Sequence, residues 1–79
     1  MYTTAMRTAV NSLDHYRPKN FGVIISDNDQ FLTVTAPEKS FMSLLDEDKR
    51  SAVEYIVRVK KALESLGAIV LIVREGGIE

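Results

Sequence analysis

The stretch DEDKRSAVEYIVRVKKALESLGAIVLIVR, residues 46–74, changes hydrophobic period partway along, and that change decides the fold. In its first part Ala52, Ile56, Val59, Leu63 and Leu66 recur at steps of four and three, while Glu54, Arg58, Lys61 and Glu64 fall elsewhere around the helical wheel. The spacing predicts one amphipathic helix over residues 46–66. Asp46 is the expected N-cap, Glu47 and Asp48 complement the positive end of the helix dipole, and Gly67 supplies the left-handed position that closes the helix. Glu54 and Arg58 are spaced for a surface ion pair worth a few tenths of a kcal/mol.

From Ala68 onward the pattern loses its polar face. Ala68, Val70 and Ile72 alternate with Ile69, Leu71 and Val73, so a strand over residues 68–74 is apolar on both sides. A strand with one solvated face alternates, and this one is therefore expected to be covered on both. Three coverings are open: the N-terminal helix opposite the long helix, a second copy of the chain, or a different partner.

Upstream, FGVIISDNDQFLTVTA (residues 21–36) reads as a hairpin. Residues 21–26 and 31–36 are rich in β-branched and aromatic residues, and Asp27-Asn28-Asp29-Gln30 supplies the reversal, because Asx side chains tolerate left-handed backbone. Val23 and Ile25 share one face of the first strand with Ile24 on the other; Leu32 and Val34 oppose Thr33 and Thr35 on the second. Before the hairpin, Tyr2, Met6, Ala9, Leu13 and Tyr16 form a helical stripe over residues 4–15, with Thr3 or Thr4 as cap. Pro18 ends it. Pro37 ends the second strand, and a short helical turn follows over residues 40–45.

The fold class is α+β, in two or three layers, with the order helix-strand-strand-helix-strand. The 79 residues make a single domain, with residues 75–79 as a tail. The third strand runs parallel to the second and lies either beside the first, in an antiparallel sheet, or beside the second, in a mixed one.

Composition narrows function. Net charge is −1, so no overall field draws the domain to nucleic acid or anionic lipid. There is no cysteine, which removes disulfides, thiolate nucleophiles and cysteine zinc sites and favours a reducing compartment. Residues 1–10 carry no signal-peptide pattern, and the longest apolar run, residues 68–73, is far short of the roughly 20 residues of a membrane span. The expected place is the cytoplasm, away from membranes.

Catalytic, cofactor and metal residues are expected to be none. His15 is the only imidazole, so neither a two-histidine metal site nor a nucleophilic elbow finds its parts, and His15 reads as a helix-end packing residue. Asp27-Asn28-Asp29 has the opening of a calcium loop, but Leu32 stands where that loop needs glycine, and Glu38 in twelfth place lies beyond a strand and Pro37. Asp46-Glu47-Asp48 is what a helix start carries without any metal. Gly22 is isolated, so no phosphate loop is present. The tail Arg74-Glu75-Gly76-Gly77 resembles the carboxyl end of ubiquitin-like modifiers and sulfur carriers. That resemblance covers two glycines and a generic topology, and the N-terminal helix and missing fourth strand depart from it; the tail reads as a frayed end.

What remains is association. A chain of this length buries only about 60% of its unfolded surface, so help from a partner is common. The leading expectation is a non-enzymatic protein-interaction module, a homodimer or an adaptor, inhibitor or subunit of a larger assembly. Its surface is expected to include Phe21, Phe31, Ile69, Leu71 and Val73, with Phe41 and Met42 as anchors, because aromatics and Met are enriched at interface centres. An alternative is a nucleic-acid-associated regulator using Lys49, Arg50, Arg58, Lys60 and Lys61 of the long helix. A lesser one is a small-ligand-binding domain.

Overall fold

Thr3 sets the first element: its hydroxyl accepts the Met6 amide at 3.1 Å and caps α1 (Thr4–Ser12). The computed structural model describes residues 1–75; the expected Gly76-Gly77 tail lies outside the described residues. α1 is shorter than its stripe predicts, because the backbone leaves helical geometry at Leu13 and continues as a 3-10 turn, Asp14–Tyr16. Arg17 ties that turn down, donating from Nε to Asp14 at 2.7 Å and from Nη1 to the Phe21 carbonyl at 2.7 Å.

The hairpin forms between β1 (Ile24–Asn28) and β2 (Phe31–Pro37). Its turn is tighter than expected, because the ladder continues to the Asn28–Phe31 pair and leaves only Asp29, at φ 64°, and Gln30 to reverse the chain. Asp27 therefore belongs to β1, and its carboxylate accepts the Tyr2 amide at 2.9 Å while lying 3.4 Å from the terminal amine. A residue expected to make the turn instead anchors the start of the chain. Leu32, Val34 and Ala36 on β2 are buried, alternating with half-buried Phe31, Thr33 and Thr35, as the period-two pattern requires.

Pro37 leads directly into α2 (Glu38–Met42), and α3 (Asp46–Ser65) follows. Asp46 is the first helical residue, not the cap: Leu45 holds the extended cap backbone and makes no side-chain cap bond. The buried stripe is Ala52, Tyr55, Val59 and Leu63. Leu66 is 46% exposed because the helix has already ended at Ser65. Gly67, at φ 99°, closes it: the Gly67 amide bonds the Glu64 carbonyl at 3.0 Å and the Ala68 amide bonds Leu63 at 3.1 Å, a Schellman arrangement. That cap occupies residues 67 and 68, so β3 (Val70–Glu75) starts later than the apolar run.

The sheet order is β1-β2-β3, with β3 parallel to β2 and Val34 opposite Ile72. The sheet is thus mixed. Met6 and Val10 of α1 join Phe21, Leu32, Val34, Tyr55, Val59 and Leu63 in one core, placing α1 beside α3 on the same side of the sheet. Of the three coverings open for the second face of β3, the one by α1 is therefore corrected; a second copy or a different partner stays open. The short stripe of α1 is consumed against α3 and Phe21, and nothing in the described chain reaches the other face. Two layers result, with extents of 33 × 31 × 15 Å.

Candidate interaction surface on the third strand

Alternation along β3 sends Leu71 and Val73 to the open face of the sheet, with exposed Ile69 just ahead of the strand, and Val70, Ile72 and Arg74 to the helix side. Val70 alone is buried; Ile69 is 65% exposed, Leu71 48%, Ile72 41% and Val73 38%. On the open face the neighbouring strands offer mainly Thr33, Thr35, Ser26 and Asn28, with exposed Ile24 at the far edge. Apolar exposure is therefore gathered along β3 and not at the centre of the sheet.

The helix side of β3 is also apolar. A groove of about 310 Å³ runs between α3 and the carboxyl ends of β2 and β3, lined by Ala36, Phe41, Val53, Ile56, Val57 and Ile72. Glu38 and Arg74 border it as a forked ion pair, with N–O distances of 2.7–3.0 Å. Val53 and Val57 are exposed one helical turn apart beside Ile72.

Backbone direction completes the surface. The Leu32 amide bonds the Ile69 carbonyl at 2.8 Å, so residues 69, 71 and 73 direct their peptide groups toward β2. By the same alternation the N–H and C=O groups of Val70, Ile72 and Arg74 point away from the sheet, along its free edge. The opposite edge differs: β1 carries Ser26, Asp27 and Asn28, and Asp27 is held by the start of the chain. Polar and charged residues on one edge guard against strand pairing; the Val70–Val73 edge has no such guard.

The residues singled out from sequence divide. Phe21 is 2% exposed, packs edge-on to Phe41 with ring centroids 6.3 Å apart, and belongs to the core. Phe41 is half-buried in the groove, Phe31 is half-buried on the open face, and Met42 is exposed beside α2, apart from β3. Only Ile69, Leu71 and Val73 come together as an exposed row. Sequence reasoning missed Val53, Val57 and Ile72, although Val53 and Val57 were legible as an i, i+4 apolar pair off the main stripe.

The basic residues of α3 do not converge. Lys60 pairs with Glu64 at 2.6 Å, Lys49 lies 3.9 Å from Asp46, and Arg58 lies over the Tyr16 ring at 3.9 Å. Arg58 thus stacks on the 3-10 turn and not on Glu54, because Tyr16, itself 4.1 Å from the His15 ring, presents a face to it. Arg50 and Lys61 stay exposed.

The Arg17 hydrogen bond holds the Asp14 carboxyl below the usual carboxylate range, the Tyr2 amide does the same for Asp27, and burial pushes the Tyr55 phenol up. No cluster of three metal-ligating side chains occurs among the described residues, and no helix there is long and apolar enough to cross a membrane.

Fold and surface together define a small two-layer α+β domain with one guarded and one unguarded sheet edge. Compared with family models, curated proteins and solved structures, the chain finds no match.

Proposed function

We propose that this chain is a protein-interaction module without catalytic activity, and that β3 with its two apolar flanks is the contact surface. One observation carries the reading: the same strand is an open edge and is apolar and exposed on both faces. Natural sheets rarely leave such an edge bare, since it templates pairing with another chain. The module acts through a second copy or as a subunit, adaptor or inhibitor of a larger assembly. The groove of about 310 Å³ lies at the foot of the range for small-molecule sites, and its one charged pair is already mutually satisfied, so it serves this surface better than a ligand.

The experiment is Leu71→Arg, followed by circular dichroism and by light scattering across concentration. The expected product keeps the wild-type spectrum and melting point and loses the association the wild type shows. Collapse of the fold would instead make Leu71 ordinary core and end the reading.

A further inference from the structure

The exposed apolar surface belongs to one strand seen from both sides, so its occupant must reach around the β3 edge. Building on the surface reading above, we propose that the occupant is a second copy of this chain. Its β3 pairs antiparallel with β3 about a twofold axis between the two Ile72 residues, giving a six-stranded sheet.

The register follows from the directions of the peptide groups. Val70, Ile72 and Arg74 are the residues whose main chain faces outward, so they must supply the new ladder. Centring on Ile72 pairs it with its own copy and sets Val70 opposite Arg74 of the other chain. Leu71 then faces Val73 of the other chain on the open face, at the separation where cross-strand apolar pairs stabilise a sheet. No like charges are opposed in this register, whereas parallel pairing would bring the two Arg74 side chains together.

The helix side agrees with the same axis. Ile72 lies in the groove with Val53 and Val57, so a twofold at Ile72 turns both valine pairs toward each other and closes the two grooves.

Apolar exposure is concentrated about this edge. Ile69, Leu71, Ile72, Val73, Val53 and Val57 together expose roughly 500 Å² per copy, against roughly 800 Å² per partner for a standard stable interface. A sheet stacked face to face on its copy would instead centre on Thr33 and Thr35 and leave Ile72, Val53 and Val57 in water.

Because the chain has no cysteine, single-cysteine variants report contacts without background. Under mild oxidation Ile72→Cys is expected to form a disulfide dimer, since Cα atoms of a hydrogen-bonded pair lie about 5.5 Å apart, within disulfide reach. Thr35→Cys, in the middle of the open face, is expected to stay monomeric on a non-reducing gel. Any other pattern in variants that retain the wild-type circular dichroism overturns the inference, cross-linking at Thr35→Cys by assigning the contact to the open face.

A second measurement needs no substitution. In wild-type protein the Ile72 and Arg74 amides are expected to exchange at least about tenfold faster on dilution to monomer, while Leu71 and Val73, bonded to β2, do not respond. Equal exchange at all concentrations, with a monomeric mass by light scattering, overturns self-pairing. The surface reading then rests on the circular dichroism of Leu71→Arg alone, where a retained fold keeps Leu71 at the surface and a collapsed one ends that reading.

Discussion

Arg74 and Glu38, 36 residues apart in sequence, are joined by a forked ion pair in which Nε and Nη2 of Arg74 donate to the two carboxylate oxygens at 2.7–3.0 Å. The pair links β3 to the first turn of α2, which follows β2 directly, and so pins the carboxyl ends of two parallel strands together. Glu38→Gln keeps an acceptor and removes the charge. Because Arg74 is largely exposed, the expected cost is below about 1 kcal/mol in a urea titration. Its sharper signature is faster exchange of the Val73 amide, which bonds β2 just before the pair. An unchanged Val73 would mean that the ladder holds β3 without help.

Leu63 and Leu71 are the same residue type in opposite settings. Leu63 is fully buried against Leu32 and Val59 in the core, whereas Leu71 stands on the open face. Leu63→Ala is expected to cost about 2–5 kcal/mol, a large share of the roughly 4–12 kcal/mol that a chain of this size holds. Leu71→Ala is expected to cost the isolated chain under about 1 kcal/mol. Denaturant midpoints at low protein concentration separate the two, and equal losses would mean that Leu71 is packed.

Gly67 is a position where a single residue decides local structure. At φ 99° a side chain is strained even though nothing lies within 4 Å of where its Cβ would be. Gly67→Ala is therefore expected to destabilise by about 1 kcal/mol through backbone strain alone. Gly67→Asn, which tolerates left-handed backbone better, should recover part of that loss. Thermal melts of the two variants test the order; Ala matching Gly would locate the closure elsewhere than the Schellman arrangement.

Much of this architecture is legible before any coordinates. The period of α3, its glycine stop, the alternation of Leu32 and Val34 against Thr33 and Thr35, and the Thr3 cap are local signals that the folded chain obeys. The failures are non-local. Whether α1 lies beside α3 or across the sheet depends on Met6 and Val10 joining Phe21 and Tyr55 in one core, which no periodicity encodes. The strand order turns on a long-range choice between two edges, and the local pattern carries no record of it. The same limit shaped the reading of the surface. Phe21 and Leu71 are both large and apolar in sequence, and only assembly buries the first and exposes the second. Two-sided apolarity in β3 marked the unusual strand, and of the three coverings open from sequence the α1 layer fails because α1 packs beside α3.

Asp27 gives the chain a specific acid sensitivity. Its carboxylate accepts the Tyr2 amide and faces the terminal amine, and these contacts hold its pKa below the ordinary value. A group whose folded pKa is depressed stabilises the fold above its unfolded pKa, near pH 3.9, and that contribution is lost as pH falls through the lower folded value. Asp14, held down by Arg17, acts in the same direction at the 3-10 turn. The melting temperature is therefore expected to hold from neutral pH to about pH 5 and to decline modestly below about pH 4 as both carboxylates take up protons. Asp27→Asn retains an oxygen for the Tyr2 amide but cannot titrate, so its acid limb should be shallower than that of the wild type. Both carboxylates are exposed, so salt should also blunt the wild-type limb. Parallel acid limbs for wild type and Asp27→Asn would show that the tether of Tyr2 to β1 contributes nothing through charge.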